Sequence, residues 1–153
     1  IRLDTGFQYV DSDIDALDFR LEVGAGPFGA QFRQTHYDER IPVDELDIKQ
    51  WHLMTRMSGK YLEVDLGLGS MIIEGNNTNS GFSFTLPILF HPKDFAGVEF
   101  RPAWAFINDN TIQDYELTLS LGWQYISFRI GYRWMRTPHV SLSGPLAGLS
   151  LRY

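Results

Sequence analysis

The 153-residue chain contains no cysteine, so disulfides, thiolate zinc sites and cysteine nucleophiles are excluded. It has no apolar run of the roughly eighteen residues that a transmembrane helix needs, and no stretch of useful length shows helical periodicity. Lysine occurs only three times and basic residues do not cluster, while the net charge is −6. A nucleic-acid-binding surface is therefore not expected.

What the sequence does have is a pattern of alternating apolar and polar residues along almost its whole length. Aromatic residues make up 14% of the chain, and the basic residues are mainly arginine. Period-two alternation is typical of strands with one apolar face. We identify ten such segments, approximately 2–10, 15–24, 27–36, 46–57, 60–73, 81–91, 96–107, 113–124, 126–136 and 144–153.

The apolar faces of these segments carry unusually large side chains. One side of the sixth segment carries Phe82, Phe84, Leu86, Ile88 and Phe90. Later segments repeat this arrangement with Trp, Tyr and Leu. Several such faces would overfill the interior of a small barrel. The opposite faces combine Gly and Ser with Arg and carboxylates, which suits a crowded polar interior. The sequence therefore predicts a barrel with its apolar face toward lipid.

In this orientation, six acids and six arginines point into the barrel. Because buried charges need partners, a near balance of sign favours a salt-bridge network that fills the interior. A polar channel that selects small solutes is the functional alternative. The predicted lumen charges are Asp18, Arg20, Glu22, Arg33, Glu63, Asp65, Glu99, Arg101, Glu116, Arg129, Arg133 and Arg152.

Trp and Tyr side chains fall near the ends of many segments, where an aromatic girdle would contact the membrane–water interface. The predicted interface residues are Tyr9, Trp51, Tyr61, Trp104, Tyr115, Trp123, Tyr132, Trp134 and Tyr153.

The final stretch, GLSLRY, resembles the C-terminal signal of bacterial outer-membrane proteins. Gly148, Leu149, Leu151 and Tyr153 match its alternating apolar residues and its aromatic end, with Tyr in place of the commoner Phe. The stretch GYRWMRT (131–137) is similar to penultimate strands of small outer-membrane barrels. This resemblance implies a location in the bacterial outer membrane, contact with membrane lipids and lipopolysaccharide, and recognition by the barrel-assembly machinery. No protein partner of the mature barrel is indicated.

The expected fold is all-β: a single domain over 1–153 that forms a transmembrane up-and-down antiparallel β-barrel of ten strands, with eight as the alternative. Short connections are expected to alternate with longer polar ones, such as 36–45 and 74–81. Outer-membrane barrels have short periplasmic turns and longer outer loops. Because an even number of strands brings both ends of the chain to the same side, both termini are expected to be periplasmic. The chain starts directly on a patterned segment at Ile1, and we expect it to be a mature or trimmed form.

Three functions are compatible with these observations. The first is a non-enzymatic barrel that acts as a narrow channel or has a structural or accessory role. The second is a lipid A-modifying enzyme, because His139 and Ser141 share one strand face and are similar to the His-x-Ser of lipid A 3-O-deacylases. That family continues with Asn and a later acid, whereas Leu142 follows here. The third is a soluble calycin-like barrel that binds a ligand with its aromatic face inside.

No cofactor or metal site is expected. Residues 11–22 place acids at several calcium-loop positions, but Ala16 stands where the sharp turn needs Gly, and residues 16–23 alternate as a strand. The histidines lack metal-ligand spacing.

Overall fold

The computed structural model describes residues 1–11, 13–40, 43–93, 95–123, 125–138 and 140–153, with side chains at all of these except positions 11, 40, 43 and 44. The described residues form eleven strands and no helix. The strands are β1 (Arg2–Asp11), β2 (Ile14–Ala25), β3 (Phe28–Arg40), β4 (Val43–Ser58), β5 (Leu62–Glu74), β6 (Thr78–Thr85), β7 (Ile88–Lys93), β8 (Ala96–Ile107), β9 (Asn110–Trp123), β10 (Ile126–Arg136) and β11 (Ser141–Arg152). No helix among these residues is long and apolar enough to cross a membrane.

All eleven strands belong to one closed antiparallel sheet. Neighbours in the chain pair as hairpins except β6 and β7, and β11 returns to pair with β1 from Arg2↔Arg152 to Gln8↔Leu146. At the junction of the termini, the Ile1 ammonium donates to the Tyr153 carbonyl at 2.7 Å. Within the described residues, closure leaves no exposed sheet edge, which is the condition for a sheet to cross a bilayer.

The strands β6 and β7 together occupy one position in the barrel, since both lie between β5 and β8. The break falls at Leu86-Pro87, because proline cannot donate to the ladder. The sheet stays joined there: Leu86 N donates to Pro102 O at 3.0 Å, and Asp65 N donates to Pro87 O at 2.9 Å. The barrel therefore has ten strand positions, as predicted, and the eight-strand alternative is wrong.

The connections are short at both ends of the barrel. We call the end that holds the two chain termini the terminal end, and the opposite one the loop end. The expected long connection at 36–45 is mostly strand, because β3 runs to Arg40 and β4 begins at Val43. At the β8–β9 turn, Asn108 and Asp109 both have positive φ. A tight two-residue hairpin turn of the I′ type requires such angles.

The two faces of the sheet have opposite chemistry. Large apolar side chains point outward; Leu53 and Trp123, for example, are among the most exposed residues of the protein. Buried residues include many charged and polar side chains, which point into the barrel. The arrangement expected for the calycin-like alternative, with its rings inside, is therefore not the one that this sheet adopts, and that alternative is not favoured.

Candidate functional site

The barrel interior is the candidate site, and all twelve predicted lumen charges lie on its inner face. Nine of them are buried, while Asp18, Glu63 and Arg152 are partly buried. Alternation along each strand produces this arrangement, because residues two apart share a face. Where β9 and β10 pair, for example, Arg133 lies opposite Glu116 and Arg129 lies opposite Ser120.

Four further charged residues contribute to the same interior but were not predicted. They are Arg2, Asp4, Arg56 and Asp114, and each forms ion pairs with predicted lumen residues. Each lies in phase with a recognised inward position of its own or a paired strand; Asp114, for example, is two residues before Glu116. The alternation contained the signal that would have found them.

One centre of the network is Glu116, a buried carboxylate shared by several arginines. Arg33 Nη2 lies 2.5 Å from its Oε2, and Arg129 Nη2 lies 2.5 Å from its Oε1. Arg20 approaches the same carboxylate at 3.5 Å and also binds Asp4, to which its Nε donates at 2.9 Å. Charge-assisted bonds of this kind compensate for the removal of both groups from water.

A second centre is Glu99, which accepts both Nη1 and Nη2 of Arg2 at 3.0 and 2.6 Å. Arg101 Nη2 lies 2.5 Å from the same carboxylate and 2.7 Å from Glu22, while its Nη1 donates to Gln31 at 2.5 Å. Glu99 therefore links strands that are far apart around the barrel, because β1 and β8 contribute opposite charges to one pair.

Toward the loop end, Arg133 forms a bidentate pair with Asp114, at 2.8 Å from Nε and 2.7 Å from Nη2. Its Nη1 donates to Thr35 Oγ1 at 3.0 Å. At the terminal end, Arg56 forms a bidentate pair with Asp65, with Nε and Nη2 donating at 2.9 and 2.8 Å. Paired charges thus extend along much of the interior.

The centre of the interior is filled by side chains. Arg20, Glu99 and Glu116 are at most 2% exposed although they point into the lumen. Cavities of about 270 and 320 Å³ lie at the terminal end, and Arg152 and Glu63 line both of them. A separate cavity of about 560 Å³ lies at the loop end. The charged cluster lies between the cavities of the two ends.

The interior becomes apolar at the loop end, which the sequence analysis did not predict. A buried cluster there is formed by Ala16, Tyr37, Ile48, Met71, Ala105, Ile107, Ile112, Met135 and Leu142. These positions are in phase with the inward charges: Ile112 precedes Asp114, and Met135 follows Arg133. In the sequence, this cluster is visible as apolar residues at the inward-facing positions that lie toward the loop end of their strands.

The predicted His139–Ser141 pair cannot be described, because His139 lies outside the described residues. Ser141 is exposed at the start of β11, and its Oγ lies 3.2 Å from Ser143 Oγ. Lipid A modification therefore stays a prediction.

The structure brings a different histidine and serine together, with His52 Nε2 at 3.0 Å from Ser83 Oγ. Both are buried, and His52 Nδ1 has no hydrogen-bond partner among the described residues. No carboxylate of the described residues hydrogen-bonds to His52, as the orienting acid of a catalytic triad would.

Eight of the nine predicted interface aromatics are in phase with the outer face, whereas Tyr61 lies in the turn between β4 and β5, two residues before the inward-facing Glu63. Tyr61, Trp123 and Tyr153 are near the terminal end, and Tyr9 lies near the loop end of β1. On the loop-end half of the wall, the ring centroids of Trp104 and Tyr115 are 5.6 Å apart, and those of Tyr132 and Trp134 are 4.7 Å apart. Trp51 lies in the middle of β4 and packs on Phe32, with the two ring centroids 4.2 Å apart.

The C-terminal segment that resembles the assembly signal forms the last part of β11. Leu149 and Leu151 point outward and are about half exposed, and Tyr153 ends the chain beside Ile1. Gly148 points inward, opposite Gly6 of β1.

Comparison with known proteins identifies the architecture. No protein-family model matches the chain, and a search of curated proteins found no match. Among solved structures, the chain is similar to the NanC porin in a rhombohedral crystal form, with a TM-score of 0.60, 10% sequence identity and 99% of each chain covered. The fold is a porin-like β-barrel. At this identity the likeness shows the fold alone.

Proposed function

We propose that this protein is a non-enzymatic barrel of the bacterial outer membrane, with a structural or accessory role and an interior closed by ion pairs. The apolar outer face supports insertion in a bilayer. Exposed side chains such as Phe28 and Leu53 would be costly in water, whereas hydrocarbon accepts them. Full closure of the sheet supports the same location, since every strand finds both neighbours.

The observation that favours a closed barrel over a channel is the burial of the central charges. A conducting pore needs a hydrated path, but Arg20, Glu99 and Glu116 are almost inaccessible to water. Their charges are neutralised by each other across the lumen. Each side chain is held by partners on other strands, so opening the path requires several ion pairs to break together.

The orientation and partners belong to the same proposal. The chain termini lie in the periplasm, the outer face contacts membrane lipids and lipopolysaccharide, and the alternating apolar residues of β11 are recognised by the barrel-assembly machinery. The resemblance of residues 148–153 to outer-membrane assembly signals supports this interpretation.

Planar-bilayer recording tests the closed state. We expect the unaltered protein to give no reproducible conductance steps. The double variant D4A/R20A removes one acid and one base from the centre and should produce steps. The matched control K49A/E74A removes an ion pair of 2.6 Å on the outer face and should stay silent. Reproducible steps from the unaltered protein would contradict the closed-barrel proposal and favour the channel.

A further inference from the structure

The apolar cavity at the loop end differs from the rest of the barrel interior. Its wall is built from aliphatic side chains that point inward, including Ile48, Ile107, Ile112 and Leu142. Interiors of outer-membrane barrels are ordinarily polar. Here about 560 Å³ of space is open at one side and lined mainly by apolar side chains, and this volume falls within the range of about 300–1,000 Å³ that suits a small-molecule ligand.

The floor of this cavity carries a buried hydroxyl. Tyr37 is 3% exposed, and its Oη lies 3.7 Å from Met135 Sδ. A thioether is a weak acceptor, so the hydroxyl retains most of its hydrogen-bonding capacity. On its other side, the Tyr37 ring lies 6.0 Å from the Arg133 guanidinium carbon. Tyr37 thus separates the apolar cavity from the charged network and offers a polar atom at the boundary.

The rim of the cavity restricts the charge of a ligand. Glu39 and Glu45 line it together with Asn79, Asn108 and Asn110, and Glu39 is in phase with the inward-facing Tyr37. Asn108 Nδ2 donates to Asn79 Oδ1 at 2.7 Å, which joins the β8–β9 turn to the neighbouring strand β6 at the mouth. Arg133, whose guanidinium lies over the Tyr37 ring, is engaged by Asp114. An anionic head group would therefore enter a mouth lined by acidic and amide residues.

We propose that the loop-end cavity binds an uncharged aliphatic molecule with one hydrogen-bonding end group. The hydrocarbon part fills the isoleucine-lined wall and displaces poorly held water, and the end group bonds either to the Tyr37 hydroxyl or to the rim amides. The cavity is far too small for a protein segment with its own fold. The site lies beyond the central ion pairs, and ligand binding does not depend on whether the barrel conducts.

Isoleucine methyl NMR in lipid nanodiscs tests this directly, with 1-dodecanol as the probe. The methyl groups of Ile48, Ile107 and Ile112 report the cavity, whereas those of Ile126 and Ile130 face outward and report partition into the bilayer. We expect saturable shifts at the three inner methyls and at most a linear, non-saturating drift at the outer two. Absence of inner shifts, or the same linear drift at all five, would overturn the proposal.

Charge and shape provide the controls. Dodecanoate has the same chain length but an anionic end, and we expect it to bind at least tenfold more weakly; equal affinity would contradict the assignment of the rim. The L142W substitution should fill the cavity and reduce dodecanol affinity at least tenfold, whereas A147W, at an exposed outer-face position of the same strand before the stretch that resembles the assembly signal, should not change it. If L142W fails to fold, I14W at the lip of the cavity replaces it. Y37F should reduce the affinity for dodecanol about fivefold if the alcohol group bonds to the Tyr37 hydroxyl at the floor of the cavity.

Discussion

At the scale of single residues, the interior depends on arginine geometry. Glu116 is held by two guanidinium groups at 2.5 Å, and Asp114 by a bidentate pair with Arg133. The planar guanidinium donates along fixed directions to carboxylates, which a lysine ammonium does not. The preference for arginine over lysine in the composition therefore corresponds to a specific need of the lumen.

Removing one carboxylate from the centre should destabilise the barrel strongly. In E116Q, Arg33 and Arg129 lose their shared counter-charge while still buried, and breaking one side of a buried pair costs about 3–5 kcal/mol. Urea unfolding in lipid vesicles, followed by tryptophan fluorescence, measures this loss. The control is E63Q at the more exposed terminal end, where Arg56 keeps Asp65 as a partner. Equal losses in the two variants would contradict the central role of Glu116.

A second residue-scale prediction concerns Gly131, on the inner face of β10. A Cβ at this position would collide with the backbone carbonyl oxygen of Leu117, on the neighbouring strand. We expect G131A to lose at least about 2 kcal/mol of unfolding free energy, as strained core substitutions do. In G97A the added Cβ would meet no atom nearer than 3.4 Å, so its loss should be small. Comparable urea midpoints for G131A and the unaltered protein would show that the sheet relaxes there.

The interior charges were largely predictable from the sequence, because alternation assigns a face to each residue. Arg20, Glu99 and Arg133 were expected in the lumen and lie there. The pairings were not predictable, because alternation does not specify which strands face each other across the lumen. The pair of Arg2 with Glu99 joins residues 97 positions apart, and only the closed barrel brings them together.

At the scale of elements, the pattern predicted which segments are strands better than where they end. Segment 27–36 was recognised, but β3 continues to Arg40, and β4 begins three residues before the predicted start at 46. Polar residues near a strand end read as a loop, although inter-strand hydrogen bonds continue beyond the apolar band. The prediction also placed one continuous strand over 81–91, whereas Pro87 divides this stretch into β6 and β7.

Closure between the first and last strands can be tested by cross-linking. Thr5 pairs with Leu149 across the β1–β11 seam, and the chain has no native cysteine. We expect T5C/L149C to form an intramolecular disulfide under mild oxidation, since residues paired in an antiparallel ladder have Cα atoms about 4.5–5.5 Å apart. Non-reducing electrophoresis detects the product. The control T5C/F128C places the second thiol one strand further away, on β10, and should not cross-link. Failure of T5C/L149C in folded protein would argue against the seam.

At the scale of the whole molecule, the decisive prediction was which face points inward. A water-soluble barrel and a membrane barrel share the same alternation, so period alone does not separate them. Two features favoured an apolar outer face and a polar interior: the size of the apolar side chains, and the Gly, Ser and Arg content of the opposite face. The structure has this arrangement. The apolar cavity at the loop end was missed because the inner phase was treated as uniformly polar along each strand.

The most direct test of the inverted barrel uses its native tryptophans. Trp51, Trp104, Trp123 and Trp134 all lie on the outer face, so in a bilayer each ring should contact lipid chains or the interface. Fluorescence is measured in vesicles of dibrominated phosphatidylcholine and in matched vesicles without bromine, because bromine quenches rings that it contacts. We expect most of the tryptophan emission to be lost in the brominated vesicles. Equal emission in the two preparations would place the rings away from lipid and contradict the proposed orientation.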